Sequence, residues 1–228
     1  MVKNFLIITI CQMFLYANEQ IILVVAEEFN STKAKLICFE DNRAVFGPIE
    51  VNLGAAGVAF GVGERALLKT EVEPIKKEGD KKAPLGIFTL DAVFGYEKEM
   101  NIKMPYLHAT KELICVDDSS SKFYNQIIKK PKEAPASYEE MRREDAQYEL
   151  GVTVGHNKEQ IPQMGSCIFL HVEKSIDAPT AGCTSMKMED LKKIIHWLDK
   201  SKNPTLIQII SAQKKELLEL YPLLVIVP

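Results

Sequence analysis

Two residues twelve positions apart, His171 and Cys183, carry side chains that together can do nucleophilic chemistry. A thiol becomes a competent nucleophile when a nearby imidazole takes its proton and backbone amides receive the oxyanion that develops on the attacked carbonyl. Gly182 directly precedes the cysteine, and a residue without a Cβ lets the backbone come close to a substrate. The pattern predicts a cysteine nucleophile with His171 as its base. A cysteine that is merely buried in the core is the alternative interpretation.

The residues around this pair predict a strand followed by a turn. Residues 167–170 are apolar and aromatic, as expected of a buried strand, and His171 stands at the end of that run. Residues 177–180, Asp-Ala-Pro-Thr, are turn formers and lead into Ala181, Gly182 and Cys183.

The rest of the chain alternates short strand-like runs with polar or glycine-containing turns. Strands are predicted at 20–26, 34–40, 45–53, 113–116, 152–154 and 205–210, and another follows the polar turn that begins at 76. Helices are predicted at 119–130, at 137–150, where Ser137 and Glu140 form a capping box, and at 187–202. The expected fold class is mainly β with a few helices (α+β), in one domain.

The first seventeen residues are predicted to be a secretory signal. Lys3 precedes an apolar run from Phe5 to Tyr16, and Ala17 is followed by polar residues. The run is short for a membrane span. Leu15 makes the cleavage site imperfect, so an uncleaved anchor is the alternative. We expect an exported domain of residues 18–228, in the periplasm or cell envelope, with no membrane span after cleavage.

Composition narrows the function classes. The chain has 228 residues, 46% of them hydrophobic and 26% charged, as in an ordinary globular protein. A net charge of -3 with no sequence-wide basic bias gives no reason to expect nucleic acid as a partner. The short basic pairs at 76–77, 81–82 and 192–193 are interpreted as solvated faces.

The cysteine spacing predicts neither a metal site nor a cofactor site. There is no CxxC motif, and the four histidines are scattered. Cys38 and Cys115 stand in apolar, strand-like runs, so both are expected to be buried, inert thiols. Two disulfides among the four cysteines after the signal would consume Cys183, which a catalytic role requires to be free.

Residues 168–186, IFLHVEKSIDAPTAGCTSM, resemble the signature of the L,D-transpeptidase catalytic domain family, also called YkuD-like. In that family a strand ending in His is followed by a spacer and a Ser/Thr-x-Gly-Cys turn. Four further blocks, at 78–88, 116–125, 138–141 and 154–157, are similar to blocks of one branch of the family and follow in the same order.

The resemblance implies a β-sandwich whose two sheets frame an active-site cleft. It also implies that Cys183 is the nucleophile, that His171 is the general base and later acid, and that amides near Gly182 hold the oxyanion. The implied substrates are peptidoglycan stem tetrapeptides, which lose D-alanine as a thioester forms. An amine acceptor then gives cross-linking or exchange. Hydrolysis by an L,D-carboxypeptidase and a non-catalytic wall-binding module are the alternatives.

One position departs from the pattern, because Ala181 stands where many members have a histidine. A backbone carbonyl or the Ser166 hydroxyl is then expected to orient His171. The predicted substrate-binding residues are Ser166, Asn157, His156 and Thr184, and a structural role for His156 is the alternative. Stem peptides carry carboxylates, so four basic residues are candidate donors in the cleft: Lys81, Lys82, Arg142 and Arg143.

Overall fold

The computed structural model describes residues 19–64, 67 and 72–224, which form a mainly β domain. The predicted signal, residues 1–17, lies outside the described residues. The first seven strands are β1 (Gln20–Ala26), β2 (Lys33–Glu40), β3 (Arg43–Asn52), β4 (Val58–Phe60), β5 (Ala83–Gly95), β6 (Tyr106–His108) and β7 (Leu113–Cys115). They are followed by β8 (Ile127–Lys129), β9 (Glu139–Glu140), β10 (Leu150–Val154), β11 (Phe169–Val172), β12 (Thr184–Met186), α1 (Met188–Trp197), β13 (Thr205–Ile210) and α2 (Lys214–Leu220).

Eight of the described strands close into a barrel-like sheet, in the order β10-β11-β12-β3-β2-β1-β13-β5. Closure depends on β5, whose first half pairs with β13 and whose second half pairs with β10. The mainly β class is confirmed. The expected two-sheet sandwich is replaced by this closed sheet, because one long strand joins what would be the two edges.

Side chains on the two faces of the closed sheet belong to two different apolar clusters. Leu170 of β11 packs in the large main core, whereas its neighbour Phe169 packs in a second, smaller cluster. Alternation along a strand sends successive side chains to opposite faces, so His171 shares the face of Phe169. This second cluster, named here the outer cluster, comprises Phe94, Ala109, Cys115, Met141, Tyr148, Cys167, Phe169 and Cys183.

Residues between β5 and β10 cover the outer cluster. They include a separate three-stranded sheet, in which β8 and β9 pair with the two edges of β7. Met141 donates its N–H to the carbonyl of Leu113, the first residue of β7. This insert places Met141 and Tyr148 against Phe169 and Cys183.

The strand predictions agree with the structure more closely than the helix predictions. Predicted strands 20–26 and 205–210 coincide with β1 and β13. The helix expected at 187–202 is present as α1, which ends at Trp197, and a separate 3-10 turn follows at Lys200–Lys202. The helices expected at 119–130 and 137–150 are wrong. Those segments contain turns, β8 and β9, because Glu139 and Glu140 pair with β7 across the chain. The long-range pairing overrides the local capping-box signal.

Cys115 and Cys167 form a disulfide, with 6.0 Å between their Cα atoms. The expectation that Cys115 is an inert thiol is therefore wrong, because β7 of the insert packs against the loop that leads into β11. Cys38 is a fully buried free thiol, as expected. The disulfide ties the insert to the strand that carries His171.

We predict that replacing both Cys115 and Cys167 by Ser lowers the free energy of unfolding by about 4 kcal/mol. A bridge across 52 residues restricts the unfolded chain by roughly this amount in the chain-entropy treatment of disulfides. Urea denaturation of both proteins without reductant measures the difference. Added reductant should shift the wild-type midpoint and leave that of the double variant unchanged. A wild-type midpoint that ignores complete reduction of the bridge contradicts the prediction.

Candidate active site

The turn that carries Cys183 is fixed by the side chain of Thr180. Its buried hydroxyl donates to the Cys183 carbonyl at 2.6 Å and accepts the Gly182 N–H at 3.0 Å. The Gly182 φ of 145° is a conformation that favours glycine, and a Cβ there would lie 3.1 Å from the Lys82 carbonyl oxygen. Since the Gly182 N–H is already bonded, the Cys183 N–H is the remaining candidate of the two for an oxyanion.

The Cys183 thiol is held between backbone groups of the strand beside it. Its Sγ accepts the Phe169 N–H at 3.3 Å and donates to the Cys167 carbonyl at 3.5 Å. Only 8% of the residue is exposed. Burial, followed by the charge of Glu139, raises the pKa of the Cys183 thiol to about 12, so the resting sulfur is protonated.

His171 is held by a backbone carbonyl. Its Nδ1 lies 2.8 Å from the Val172 carbonyl oxygen, which can only accept, so Nδ1 carries the proton and Nε2 has a free lone pair. Burial lowers the pKa of His171 to about 4, which keeps the ring neutral at ordinary pH. A backbone carbonyl was one of the two expected orienting groups. The other, Ser166, donates instead to Glu78 at 2.7 Å.

The parallel pairing of β11 with β12 brings the imidazole and thiol segments side by side. Leu170 is in register with Thr184, and His171 with Ser185. The hydrogen bonds described for Cys183 Sγ and for His171 Nδ1 all go to backbone groups, and within the described part of the chain none joins the thiol to the imidazole. Catalytic hydrogen bonds in empty sites often tighten when substrate binds.

The imidazole packs against Tyr148, which belongs to a group of contacting aromatic rings. The Tyr148 ring packs edge-on against His171 with 5.3 Å between centroids, and against Phe169 at 5.4 Å. The Tyr148 hydroxyl donates to Glu139, whose pKa is raised by burial. Gly151 lies opposite His171 in the register of β10 and β11, and a Cβ on it would come within 2.2 Å of the Phe94 ring.

Residues from three segments, 78–88, 116–125 and 154–157, meet around the loop before β11. The Asn125 side chain donates to the His156 and Asn157 carbonyls, both at 2.8 Å, and accepts the Cys167 N–H at 2.9 Å. Glu78 accepts hydrogen bonds from Tyr124 and from Ser166. These contacts fix the chain segment that places Cys167 against the Cys183 thiol.

Two of the predicted substrate-binding residues hold this loop together. Asn157 is fully buried and bonds the Ile161 N–H and the Ile161 and Gly165 carbonyls, each at 3.0 Å. His156 is 2% exposed, and its Nε2 donates to the Met164 carbonyl at 3.0 Å. Burial lowers the pKa of His156 to about 4. We assign both residues structural roles in the loop, which for His156 was the alternative expectation.

Thr184 and Ser166 also lack the orientation expected of substrate contacts. Thr184 is 2% exposed and donates to Gln208 at 2.9 Å, on the opposite sheet face from Cys183. Strand alternation after the Gly-Cys turn causes this orientation. Ser166 is 7% exposed, and its hydroxyl is used by Glu78. A substrate contact for either residue stays a prediction.

The four candidate cationic donors make different contacts. Arg143 lies close enough for its charge to lower the pKa of both Cys183 and His171, and it pairs with Asp145 at 2.6 Å. Arg142 stacks on Tyr96, with 4.5 Å from its guanidinium carbon to the ring centroid. The Lys82 ammonium donates to the Ala56 carbonyl at 2.7 Å, and Lys81 is exposed.

Lys76 contradicts the interpretation of residues 76–77 as a solvated basic face. It is 3% exposed, because its ammonium pairs with Asp80 at 2.6 Å beneath the Gly-Cys turn. Sequence patterns gave no sign of this burial, since Lys-Lys pairs are mostly exposed. The burial of Ser185 beside the site was not predicted from the sequence either. Ser185 is 1% exposed and in register with His171, and its hydroxyl has no hydrogen-bond partner among the described residues.

Two surface cavities lie beside the outer cluster. One, of about 280 Å³, is lined in part by Thr153, Cys167 and Phe169. The other, of about 380 Å³, is lined by residues 138–140 and 143–145, including Glu139 and Arg143. Both cavities adjoin the outer cluster, because Cys167 and Phe169 belong to it and Glu139 and Arg143 contact its Tyr148.

Comparisons with known proteins leave the chain without a matching relative. No protein-family model matches it, and neither the curated proteins nor the solved structures give a match. Within the described residues, no helix has the length and apolar character needed to cross a membrane.

We predict that Thr180→Val lowers the free energy of unfolding by roughly 1–3 kcal/mol, because the Gly182 N–H and Cys183 carbonyl lose their shared buried partner. Urea denaturation measures this loss. Thr180→Ser, which keeps the hydroxyl, is the matched control and should retain most of the stability. Equal stability of the Val variant and the wild type would show that the hydroxyl does not hold the turn.

We predict that acidification from about pH 6.5 to pH 4 destabilises the protein partly through His171. Its pKa is about 4 in the folded chain and about 6.5 in an unfolded chain, so the unfolded chain binds the proton first as pH falls. The stabilisation is complete above about pH 6.5 and is lost as pH falls to about 4, at a cost of up to about 3 kcal/mol. Urea denaturation across this range should show a smaller loss in His171→Gln. An identical loss in that variant contradicts the assignment.

Proposed function

We propose that this chain is an exported, cysteine-dependent L,D-transpeptidase that acts on peptidoglycan stem tetrapeptides. The observation that carries the proposal is the parallel pairing of β11, which holds His171, with β12, which Cys183 directly precedes, together with the bond from His171 Nδ1 to Val172 that leaves Nε2 as a base. The ordered sequence blocks supply the substrate class, and their residues support the loop beside the thiol.

In the proposed first half-reaction, the Cys183 S–H bond breaks and the proton passes to His171 Nε2. The sulfur attacks the carbonyl of the diaminopimelate-type residue, in the amide bond that joins it to D-alanine. The Cys183 N–H is the candidate donor to the oxyanion. His171 returns its proton to the departing amine as the amide C–N bond breaks. D-alanine leaves, and a thioester remains.

The second half-reaction determines whether the product is a cross-link. An amine from a second stem attacks the thioester, with His171 again accepting a proton, and Cys183 is released as a thiol. Water in place of the amine gives a trimmed tripeptide. Both outcomes share the first half-reaction, so only analysis of the products identifies the acceptor.

The disulfide supports an exported location. Bridges such as Cys115–Cys167 persist in oxidising compartments and are rare in a reducing cytosol. A free Cys183 is compatible with such a compartment because Cys115 and Cys167 are bonded to each other and are not available to oxidise it.

We predict that Cys183→Ala and His171→Ala each reduce D-alanine release from purified stem tetrapeptides by at least about a thousandfold, because each removes a reacting group. Mass spectrometry of the muropeptides measures substrate, reaction and acceptor together. Cys38→Ala, which removes the other buried free thiol, is the matched control and should retain activity.

The same spectra separate the competing functions. Dimers from the wild type support transfer, whereas tripeptides without dimers support an L,D-carboxypeptidase. Full activity in either site variant rejects the assignment. A wild type that releases no D-alanine, and whose Cys183 is not acylated by a carbapenem, supports a non-catalytic wall-binding module instead.

A further inference from the structure

Lys76 is a buried cation directly beneath the Gly182–Cys183 turn. Its backbone N–H donates to the Phe60 carbonyl at 2.8 Å, which holds the Lys76 backbone beside the end of β4. Only 4% of its side chain is exposed. Burying a lysine ammonium costs free energy of desolvation unless an opposite charge or hydrogen bonds compensate it.

The Lys76 ammonium is close to the turn itself. A Cβ built on Gly182 would lie 3.7 Å from Nζ, and that position is one residue from the nucleophile. The side chain also runs past Gly165, where a Cβ would lie 3.0 Å from Lys76 Cε. The absence of side chains at both glycines gives the lysine room to pass between the loop and the turn.

Asp80 holds the ammonium in this position. Lys76 Nζ donates to Asp80 Oδ1 at 2.6 Å and to the Lys77 carbonyl at 2.9 Å. The Asp80 carboxylate also accepts the Lys77 and Lys82 N–H groups at 2.7 and 2.9 Å. An ammonium has three N–H donors, so these contacts leave one for a further acceptor.

Several charges surround Cys183. Lys76 and Arg143 lower the pKa of the thiol, whereas burial and Glu139 raise it, and Glu139 is itself buried with a raised pKa. Arg143 is partly exposed and neutralised by Asp145. Lys76 is therefore the buried cation of this group, and water screens its field least.

We propose that the Lys76 ammonium is a positioning cation that stabilises the negative charge formed on Cys183 Sγ. The proposal rests on the nucleophilic role of Cys183 assigned above. When the S–H bond breaks, its electron pair stays on Sγ and the proton moves to His171 Nε2. The ammonium lies beside the same turn and offsets that new charge, while Asp80 keeps the ammonium in place and partly neutralises it.

The experiment measures the alkylation rate of Cys183 by iodoacetamide at pH 8, followed by mass spectrometry of the peptide that contains it. The rate follows the thiolate fraction. Lys76→Met should react about tenfold more slowly, since the thiolate loses its cation. Asp80→Asn should react about threefold faster, because the cation is no longer neutralised. Lys76→Arg keeps the charge and should stay close to the wild-type rate.

The alkylation rate is expected to fall in Lys76→Met and to rise in Asp80→Asn. If the ion pair were purely structural, removing either partner would change the rate in the same direction. Slower or unchanged alkylation in folded Asp80→Asn overturns the proposal, as does an unchanged rate in folded Lys76→Met. If Lys76→Met does not fold, Asp80→Asn and Lys76→Arg alone decide. The assay contains no peptidoglycan, so its outcome is independent of whether stem peptides are the substrate.

Discussion

The site depends on one parallel contact, the pairing of β11 with β12. Parallel neighbours require a crossover connection, and here residues 173–183 make it as a turn instead of a helix. The turn returns the chain to the starting side of the sheet, so that Cys183 lies beside Phe169 while His171 stands two residues further along. A change of one residue in this register would place the imidazole on the main-core face.

Burial sets the chemical state of the pair. Removing both groups from water favours their neutral forms, since the penalty falls on thiolate and imidazolium alike. Each proton transfer inside the cluster must therefore create two charges in a poorly screened environment. A compensating charge or hydrogen bond has a larger effect on the free energy in such an environment than in water. The Lys76–Asp80 ion pair and the Tyr148–Glu139 hydrogen bond are both in this environment.

Local sequence signals predicted the strands, α1 and the Gly-Cys turn because these elements follow short-range periodicity and turn chemistry. The closed sheet was not predictable in this way. It depends on β5 continuing past the pairing with β13 into a second pairing with β10, which no local pattern encodes. The insert misled the helix prediction for the same reason, since Glu139 and Glu140 belong to a sheet whose other strands lie far away in the chain.

For the candidate site residues, the structure shows the surroundings of each side chain. Cys183 is a free thiol, and a backbone carbonyl holds the His171 ring, as one of the two expected orienting groups. Asn157 and Ser166 were chosen as short polar groups next to strand ends, but hydrogen bonds inside the loop and to Glu78 use their side chains. The catalytic and substrate-binding roles stay predictions. Lys76 was hidden because only the folded loop, through Asp80, removes it from water.

The outer cluster contains three cysteine sulfur atoms, those of Cys115, Cys167 and Cys183. Three sulfur atoms allow three pairings, and two of these would include Cys183. The observed pairing joins the insert to the β11 side and leaves the turn cysteine reduced. The bridge therefore keeps the Cys183 thiol from pairing within the cluster, because the other two cysteines of the outer cluster are already bonded to each other.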